Sequence, residues 1–371
     1  MLQDIRSERL KKIEKIKDPY PKKVFLPYQG RIRAVRSHGK ISFLNVDDQQ
    51  IMIKGEHFLD IGDIIEYSGK SFKTQSGEDT IEVEKFNILV KTLRPLPQEW
   101  YGLKDQEIRF RKRYLDLLMN KEVRKIFEKR SEIITTLRSF LNKNGFLEVE
   151  TPILQPLYGG ASARPFTTHL NALNMDLYLR IAPELYLKRL LVGGFQRIYE
   201  IGRCFRNEGM DRDHNPDFTM LEWYAAYWDW EDLMNFTEEL MASFGIPKKW
   251  DRVEYPQKIK DDKEFYKTLK RPTFVLHLPN IPLAKKGEAL QGVIEGQELI
   301  KAFTEQNDPL EQRKQLQQDK EQPVDEDFLE ALEYGMPPAA GFGMGIDRLT
   351  KLLTGAKSLR EVILFPTMKP C

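Results

Sequence analysis

Two predicted strands and the loop between them decide the fold: Arg197-Ile-Tyr-Glu-Ile-Gly-Arg-Cys-Phe-Arg-Asn-Glu-Gly-Met-Asp-Arg-Asp-His-Asn-Pro-Asp-Phe-Thr-Met-Leu-Glu-Trp-Tyr224. A charged loop rich in Gly, Asp, Asn and Pro between β-prone runs predicts an antiparallel hairpin. Side chains alternate between the faces of a strand, so two sets each share a face: Glu200, Arg206 and Glu208, and Phe218, Glu222 and Tyr224. If the two faces coincide, they form a charged surface that a folded core would not bury unpaired. This surface is therefore either solvated or a ligand site.

The composition is that of a soluble globular protein of two or three domains, with 371 residues, 41% hydrophobic and 31% charged. No apolar run has membrane-spanning length, and the N-terminus has no signal-peptide core. Cys204 and Cys371 lie far apart without nearby zinc-ligand spacing, which predicts two free thiols in a reducing cytoplasm. The net charge of +2 excludes a strongly basic protein but leaves room for a nucleic-acid partner bound by a local patch.

The N-terminal third reads as a charged helix followed by a small β-barrel. Residues 3–17 predict a helix that is either solvated or a basic arm touching phosphates. Turn residues then separate five predicted strands: Tyr28–Ser37, Ile41–Val46, Gln50–Ile53, Ile64–Lys73 and Thr80–Lys91. Five short strands in about seventy residues indicate a closed barrel of OB type. Phe43 and His38 offer stacking faces for single-stranded bases, although Phe43 is equally compatible with the barrel core.

The remaining chain alternates helical and strand patterns. An amphipathic helix over 123–141 ends at Asn144-Gly145, and a strand with Pro152 follows over 146–153. Residues 158–169 form a small-residue loop, and Glu184 lies in the first turn of a helix, where it suits the dipole or a substrate ammonium. A strand region covers 290–305, and a charged helical hairpin covers 308–335.

The last strand is interrupted by glycines and runs into a helix that carries Arg348. Gly341, Gly343 and Gly345 allow another backbone or a flat ligand to approach closely. By itself this spacing is a weak signal. It matches neither the Rossmann nor the Walker pattern, so those nucleotide-binding folds are excluded as good interpretations.

Three blocks of the sequence resemble the signature motifs of class II aminoacyl-tRNA synthetases. They are Phe146–Pro152 after the long helix, Phe205–Glu208 through Glu222, and Gly341–Arg348. The finer resemblance is to the lysyl-tRNA synthetase family, and it rests on these stretches: Arg31–Lys40, Leu93–Pro97, Arg111–Asp116, Ala182–Lys188 and His214–Met220. The resemblance covers nearly the whole chain and is weakest over 240–305.

The resemblance implies an α+β protein with an OB-type anticodon-binding barrel before a catalytic domain built on an antiparallel sheet. We accordingly expect an N-terminal helix at 1–24, the barrel at 25–95, a linker at 96–112 and the catalytic domain at 113–371. It also implies a homodimer through the first motif. The expected partners are ATP with Mg²⁺, lysine and tRNA(Lys), in the cytoplasm.

The resemblance also implies roles for individual residues. Arg206 and Arg348 are the expected catalytic residues, because phosphoryl transfer needs positioning and charge neutralisation. The expected ATP site consists of Arg206, Asn207, Glu208, His214, Asn215, Phe218, Glu298, Leu299, Gly345 and Arg348, with Glu298 holding the metal and Phe218 and Arg348 stacking on adenine. The expected amino-acid site consists of Gly160, Glu184, Arg206, Glu222, Tyr224, Lys301, Phe303 and Glu305. Phe43 and Glu78 match the anticodon-reading positions.

Several positions depart from the family pattern. Lys301 replaces an asparagine that contacts substrate, Gln291 replaces a second metal-binding glutamate, and the segment over 245–290 is short. Loss of a carboxylate should weaken metal binding. We therefore hypothesise that the Lys301 ammonium partly occupies its own pocket beside Glu222 or Glu305, which would weaken lysine activation or change the amino-acid preference. The alternative is that a shifted register points Lys301 away.

These features predict a lysyl-tRNA ligase that forms lysyl-adenylate and transfers lysine to tRNA. Two alternatives stay open at this point. One is a lysyl-transferase or paralogue with altered specificity or a protein acceptor, against which the N-terminal barrel argues. The other is a degenerate paralogue that only binds tRNA or nucleotide, for which the changes at Gln291 and Lys301 argue.

Overall fold

A computed structural model describes residues 2–97, 103, 105–258, 261–319 and 323–369. The chain divides into two compact units between residues 104 and 105. The α+β fold class predicted from the sequence is confirmed, with a five-stranded barrel in the first unit and an antiparallel-rich sheet with helices in the second. Along the described ranges, no helix is both long and apolar enough to cross a lipid bilayer.

The first unit is a helix and a closed barrel. Its elements are α1 (Leu2–Ile13), β1 (Tyr28–His38), β2 (Ile41–Val46), β3 (Gln49–Lys54), β4 (Ile64–Lys73) and β5 (Asp79–Val90). The strands close in the order β1-β2-β3-β5-β4. Alternate residues of β2 are buried, and Leu44 and Val46 join the barrel core while Phe43 does not. This alternation excludes the interpretation of Phe43 as a core residue.

The second unit combines helices with two sheets. Its helices are α2 (Gln106–Arg111), α3 (Arg113–Met119), α4 (Lys121–Lys143), α5 (Glu184–Val192), α6 (Trp230–Ala242), α7 (Asp262–Thr268), α8 (Pro309–Gln318), α9 (Glu326–Glu333), α10 (Ile346–Thr354) and α11 (Leu359–Val362). Its strands are β6 (Leu147–Glu148), β7 (Leu154–Gln155), β8 (Phe166–Leu170), β9 (Met175–Leu179), β10 (Arg197–Phe205), β11 (Asp217–Ala226), β12 (Asp251–Glu254), β13 (Thr273–Leu276), β14 (Ala284–Ile294), β15 (Gln297–Glu305) and β16 (Ala339–Gly345).

The large sheet has the strand order β12-β13-β14-β15-β16-β11-β10-β6, and β7-β9-β8 form a small separate sheet. One face of the large sheet is apolar. On it Trp223 of β11 stacks on Phe342 of β16 with ring centroids 5.1 Å apart. Leu137 of α4 and Leu240 of α6 belong to the same fully buried cluster. Burial of this face fixes the strand register, because a shift by one residue would turn these rings to the opposite side.

The opposite face carries the charged residues. Cross-strand pairing puts five residues of five neighbouring strands in one row: Gln291, Lys301, Gly343, Glu222 and Glu200. Phe218 pairs with Cys204, which has the same parity as Glu200. The two predicted faces of the hairpin therefore coincide.

After Ala339, strand β16 presents three glycines to this face. Gly341, Gly343 and Gly345 alternate with Ala340, Phe342 and Met344, which belong to the buried apolar cluster on the other side. A Cβ atom at Gly341 would overlap Glu305 Oε1 and the Tyr224 ring. A Cβ atom at Gly343 would lie 2.8 Å from the Met220 Cε atom. The glycines therefore keep the middle of the charged face open.

Some local predictions from the sequence differ from the structure. The strand predicted over 146–153 is confined to Leu147–Glu148, which pair in parallel with Ile198 and Tyr199 of β10. The strand region at 290–305 is two strands joined at Glu295-Gly296, both with positive φ. Helix α2 lies inside the predicted linker 96–112, of which residues 98–102 and 104 fall outside the described part. The predicted domain limits remain a prediction.

Candidate active site

A cavity of about 360 Å³ opens on the charged face of the large sheet. Its walls come from β11, β15 and β16, from the loop after β10 and from the small-residue loop near residue 160. Fifteen residues predicted for the site line it: Gly160, Glu184, Arg206, Glu208, His214, Asn215, Phe218, Glu222, Tyr224, Glu298, Leu299, Lys301, Phe303, Gly345 and Arg348. Asn207, Glu305 and Gln291 do not line it. The structure thus brings most of the predicted residues into one pocket.

Arg206 lies where β10 ends and presents its guanidinium to the cavity. The Arg206 Cζ atom lies 5.1 Å from the centroid of the Phe218 ring, a cation–π arrangement. Its Nε atom donates a long hydrogen bond of 3.5 Å to the Ile181 carbonyl. Among the residues that the structure describes, no carboxylate lies within ion-pair distance of Arg206. The rigid fork of donors is therefore available to a phosphate or a carboxylate ligand.

Arg348 is held in the first turn of α10. Its Nη1 atom donates to the Glu298 carbonyl at 3.1 Å, and its Nη2 atom lies 3.4 Å from His214 Nε2. The other ring nitrogen of His214 contacts the Asp211 carboxylate at 2.8 Å. This chain of contacts fixes the Arg348 side chain at the rim of the cavity.

The other predicted ATP residues differ in exposure. Asn215 is buried, and its side-chain amide donates to the Asp217 carbonyl at 2.6 Å while its Oδ1 atom has no hydrogen-bond partner. Glu208 is exposed at the mouth of the cavity. Asn207 is also exposed, and its main-chain amide donates to the Arg164 carbonyl at 2.7 Å, so this residue lies outside the cavity wall.

The end of the cavity lined by Glu184 and Glu222 is acidic, and one buried ammonium lies behind its wall. The Lys188 Nζ atom contacts Glu184 Oε1 at 2.8 Å and also forms an ion pair with Glu305 Oε2. Lys188 and Glu305 are both 0% exposed. Glu305 Oε1 has no hydrogen-bond partner and lies beside Gly341 and Tyr224, which line the cavity. Glu305 thus stands behind the wall with one unsatisfied oxygen.

Glu222 and Tyr224 form the adjoining part of this acidic end. The Tyr224 hydroxyl donates to Glu222 Oε2 at 3.2 Å. Burial, together with the nearby Glu184 carboxylate, raises the pKa of Glu222 well above its usual value. Within the described ranges no cation lies within ion-pair distance of Glu222. Because this buried carboxyl group has no paired cation, binding of an ammonium group would stabilise its ionised form.

In the buried pair beyond Glu222, the pKa values of both groups are raised, for different reasons. Burial raises the pKa of Glu305 to about 8, although the Lys188 ammonium opposes that rise. Burial acts to lower the pKa of Lys188, but Glu184 and Glu305 outweigh it and raise that pKa. Lys188 is therefore charged near neutral pH, and Glu305 exchanges its proton within the range of ordinary assays.

Two predicted features need correction. The Lys301 side chain is exposed, and among the described contacts it makes no ion pair with Glu222 or Glu305. The ammonium beside Glu305 belongs to Lys188, so the hypothesis that Lys301 fills its own pocket lacks the contact it requires. Glu200 does not line the cavity, because its carboxylate pairs with the buried Arg180 guanidinium and accepts a 2.7 Å hydrogen bond from Thr151.

The residues fit a magnesium ion that arrives with phosphates rather than a preformed metal site. Glu298 lines the cavity, whereas Gln291 does not, and the Gln291 amide oxygen accepts a hydrogen bond from the Tyr266 hydroxyl. Within the described part of the chain, no three His, Cys, Asp or Glu side chains gather into a metal-binding group. Mg²⁺ commonly keeps several waters and takes one or two carboxylates together with substrate phosphates. One carboxylate, Glu298, suits that mode.

The two residues predicted to read the anticodon belong to the barrel. Phe43 is half-buried on the outer face of β2, opposite Met52 of β3. Glu78 is exposed, and its main-chain amide donates to Thr74 Oγ1 at 3.0 Å in the turn before β5. Both side chains therefore lie on the surface of the barrel.

The sequence reasoning missed Lys188, Asp213 and Met220. Lys188 had one usable signal, the i,i+4 spacing from Glu184 on α5. Asp213 lines the cavity and pairs with Lys351 of α10, a contact between residues 138 positions apart that no local pattern indicates. Met220 resembled an ordinary core residue, yet it lines the cavity against Gly343.

Comparison with known proteins identifies the class to which this fold and cavity belong. A family model described as tRNA synthetases class II (D, K and N) matches residues 105–369. This match covers well over half of the chain. The chain belongs to the class II tRNA synthetases.

The similar curated proteins are more specific. The lysine–tRNA ligase of Aquifex aeolicus (strain VF5) is 43% identical over 432 residues, covering 92% of this chain and 72% of the relative. The lysine–tRNA ligase of Carboxydothermus hydrogenoformans is 44% identical over 430 residues, covering 92% of this chain and 88% of the relative. Within its class the chain falls among the lysine–tRNA ligases. Both alignments are longer than the chain itself, so the relatives carry residues that have no counterpart here.

Proposed function

We propose that this protein is a lysine–tRNA ligase, which activates lysine with ATP and transfers it to the 3′ end of tRNA(Lys). The observation that carries the proposal is the pairing of two features in one cavity. Arg206, whose guanidinium has no ion-pair partner among the described residues, lines one end, and the buried Glu184 and Glu222 line the other, with the unsatisfied Oε1 atom of Glu305 behind the wall. ATP, lysine and tRNA are the substrates of this reaction.

The two ends of the cavity suit the two halves of the activation step. Arg206 binds the α-phosphate together with the attacking carboxylate of lysine and so holds both in reacting position. Phe218 and Arg348 enclose the adenine, and Glu208, His214, Asn215, Leu299 and Gly345 complete the nucleotide site. Glu298 would hold Mg²⁺, which supplies charge neutralisation on the phosphates.

The acidic end selects the amino acid. Glu184 and the Gly160 backbone take the α-ammonium, while Glu222, Tyr224 and Glu305 take the ε-ammonium over the Phe303 ring. A neutral side chain would leave buried carboxylates unpaired, and that penalty gives discrimination beyond what shape alone provides. Lys301 borders this end from the exposed side of the cavity.

ATP–pyrophosphate exchange with each amino acid in turn, followed by charging of tRNA(Lys), tests the proposal. Lysine is expected to support exchange far better than any other standard amino acid, and tRNA(Lys) is expected to accept it. Exchange with another amino acid would show an altered specificity, and lysine transfer to a protein alone would show a different acceptor. Absence of exchange with every amino acid would sink the proposal and favour a binding-only paralogue.

The pH dependence of lysine binding follows from the raised pKa of Glu305. An acid whose pKa is higher in the folded than in the unfolded state stabilises the fold at low pH, and this contribution is lost as pH rises toward about 8. Lysine favours the ionised carboxylate. We therefore expect the rise in Tm caused by saturating lysine to grow from pH 6 to pH 8 in differential scanning fluorimetry. Glu305→Gln should reduce this growth, and a lysine effect equal at both pH values would contradict the assignment.

The barrel is expected to bind the anticodon through Phe43 and Glu78. Stacking of a base on an aromatic ring contributes about 1–3 kcal/mol, so Phe43→Ala should raise KM for tRNA about 5- to 150-fold. Pyrophosphate exchange needs no tRNA and should stay unchanged. The exposed Phe58→Ala on the same barrel is the matched control. Equal effects of the two substitutions on tRNA charging would remove Phe43 from the tRNA site.

A homodimer through α4 and the segment that follows it is part of the proposal. Leu147, Ile153 and Leu154 are apolar yet 51%, 44% and 47% exposed. Exposed apolar side chains within one short segment of the chain favour contact with another protein surface. Light scattering that finds a monomer at micromolar concentration would contradict this assembly.

A further inference from the structure

We propose that Lys188 is a positioning residue that fixes the spacing between the two carboxylates binding the ammonium groups of the amino acid, and thereby sets the length of the diamino acid selected. The inference rests on the proposed function, which assigns Glu184 to the α-ammonium and Glu305 to the ε-ammonium. No contact between Lys188 and the substrate is required.

The contacts of Lys188 leave no donor for a ligand. An ammonium has three N–H donors. The Lys188 Nζ atom contacts Glu184 Oε1 at 2.8 Å, Glu305 Oε2 and, more distantly, the Leu283 carbonyl at 3.4 Å. It also lies 5.5 Å from the centroid of the Phe303 ring. All three donors are therefore used inside the protein, and Lys188 acts on a substrate only through the carboxylates that it holds.

Both carboxylates are confined on their other sides as well. A Cβ atom at Gly160 would lie 3.0 Å from the Cβ atom of Glu184, so only a glycine lets the loop pack this closely against that side chain. Any side chain at Gly341 would overlap Glu305 Oε1. Two oxygen atoms that contact one nitrogen lie within two hydrogen-bond lengths, about 6 Å, of each other. The buried Lys188 ammonium thus limits the distance between the Glu184 and Glu305 carboxylates.

The charge balance of this end fits the same role. Three buried carboxyl groups lie at this end, and the Lys188 ammonium contacts two of them, Glu184 and Glu305. The pKa values of Glu222 and Glu305 are raised, so these two carboxyl groups gain a charge partner when an ammonium group of the substrate arrives. Arg206 and the Tyr224 hydroxyl also face this group, from the loop after β10 and from β11. Without Lys188 the pKa of Glu305 would rise further, and protonation of this carboxyl group would compete with substrate binding.

The experiment compares Lys188→Met with Arg189→Met in pyrophosphate exchange with lysine and with ornithine, which is shorter by one methylene. Arg189 is the matched control, because it lies on the same helix and pairs with Asp325 and Asp327, away from the cavity. Both KM and kcat are measured from pH 6 to pH 9. Tm and ATP binding of each variant report on folding.

For Lys188→Met we expect KM for lysine to rise at least 50-fold with a smaller change in kcat. The preference for lysine over ornithine should fall at least tenfold, since one methylene is worth about 10–200-fold in a shaped pocket. The pH at which KM for lysine becomes minimal should move up by about one unit or more, because a nearby cation lowers the pKa of a carboxyl by about 1–3 units. Arg189→Met should change neither the preference nor the pH profile.

Each outcome separates the inference from the proposed function. No lysine exchange by the unmodified protein would refute the proposed function itself. An active protein whose Lys188→Met variant keeps the lysine preference and the pH profile would overturn the role of Lys188 alone, as would equal changes in both variants. If Lys188→Met does not fold, Lys188→Met/Glu305→Gln removes one buried charge of each sign, and an unchanged preference for lysine in that variant would overturn the inference.

Discussion

Replacing Arg206 with alanine is expected to lower kcat/KM for lysine-dependent pyrophosphate exchange about a thousandfold, equivalent to about 4 kcal/mol of transition-state stabilisation. The reason is the position of its guanidinium at the cavity wall, over the Phe218 ring and without an ion-pair partner among the described residues. A donor already held in place costs little reorganisation when charge develops on the phosphate. The measurement is steady-state exchange at saturating magnesium, with Tm recorded for each variant.

Arg206→Lys and Arg203→Lys form the matched comparison. Lysine keeps the charge but loses the planar fork, so Arg206→Lys should recover only a small part of the lost rate. Arg203 lies on the same strand but outside the cavity, and its partly exposed ion pair with Asp217 should contribute little. Arg206→Ala retaining more than a tenth of the activity would remove Arg206 from the reaction, and an equal loss in Arg203→Lys would point to a general disturbance of β10.

The second large effect is expected from Glu222→Gln, which should lower kcat/KM for lysine by two to three orders of magnitude. Removing one partner of a buried ion pair costs about 3–5 kcal/mol, and here the lost partner is the carboxylate that receives the substrate ammonium. The folded state of the Glu222→Gln variant, in contrast, should be more stable than that of the unmodified protein. Because the pKa of Glu222 is raised in the folded protein, its ionisation destabilises the fold as pH rises, and the neutral amide avoids this cost.

The expected result at pH 8 is therefore a weaker enzyme that melts higher, by about 2–4 °C if the gain is about 1 kcal/mol. This combination separates a binding role from misfolding, which would lower activity and Tm together. Glu208→Gln is a useful contrast in the same cavity, because it should raise KM for ATP and leave KM for lysine nearly unchanged. A fall in Tm of Glu222→Gln, or a loss confined to ATP, would contradict the assignment of Glu222.

The fold was predictable where the pattern is local. Alternation in the barrel strands and along the hairpin of β10 and β11 predicts both the elements and the faces, because a half-buried strand requires that alternation. The short strand β6 and the Glu295-Gly296 turn show the limit. A short apolar run does not reveal whether one strand or two occupy it, or how many of its residues pair with a neighbouring strand.

The sequence predicts which residues belong to the site but not which of them form ion pairs with one another. The resemblance supplied Arg206, Glu222 and Arg348, and the structure brings these residues into one cavity. Which acid is already neutralised depends on contacts between distant segments, such as Arg180 with Glu200 and Lys188 with Glu305. The sequence therefore leaves open whether the Lys301 ammonium enters the pocket, whereas in the structure the ammonium beside Glu305 is that of Lys188 on α5.

The glycines of β16 affect how readily resistance to an inhibitor of this protein would arise. A flat compound laid against that strand would meet main-chain atoms, which no codon change can alter. Substitution at Gly341 would push a side chain into Glu305 and Tyr224. Because both residues belong to the proposed amino-acid site, a resistant variant with this substitution would also bind its amino-acid substrate more weakly. Resistance to compounds that extend toward the exposed Lys301 would arise more readily, because a substitution there would disturb fewer contacts of the protein.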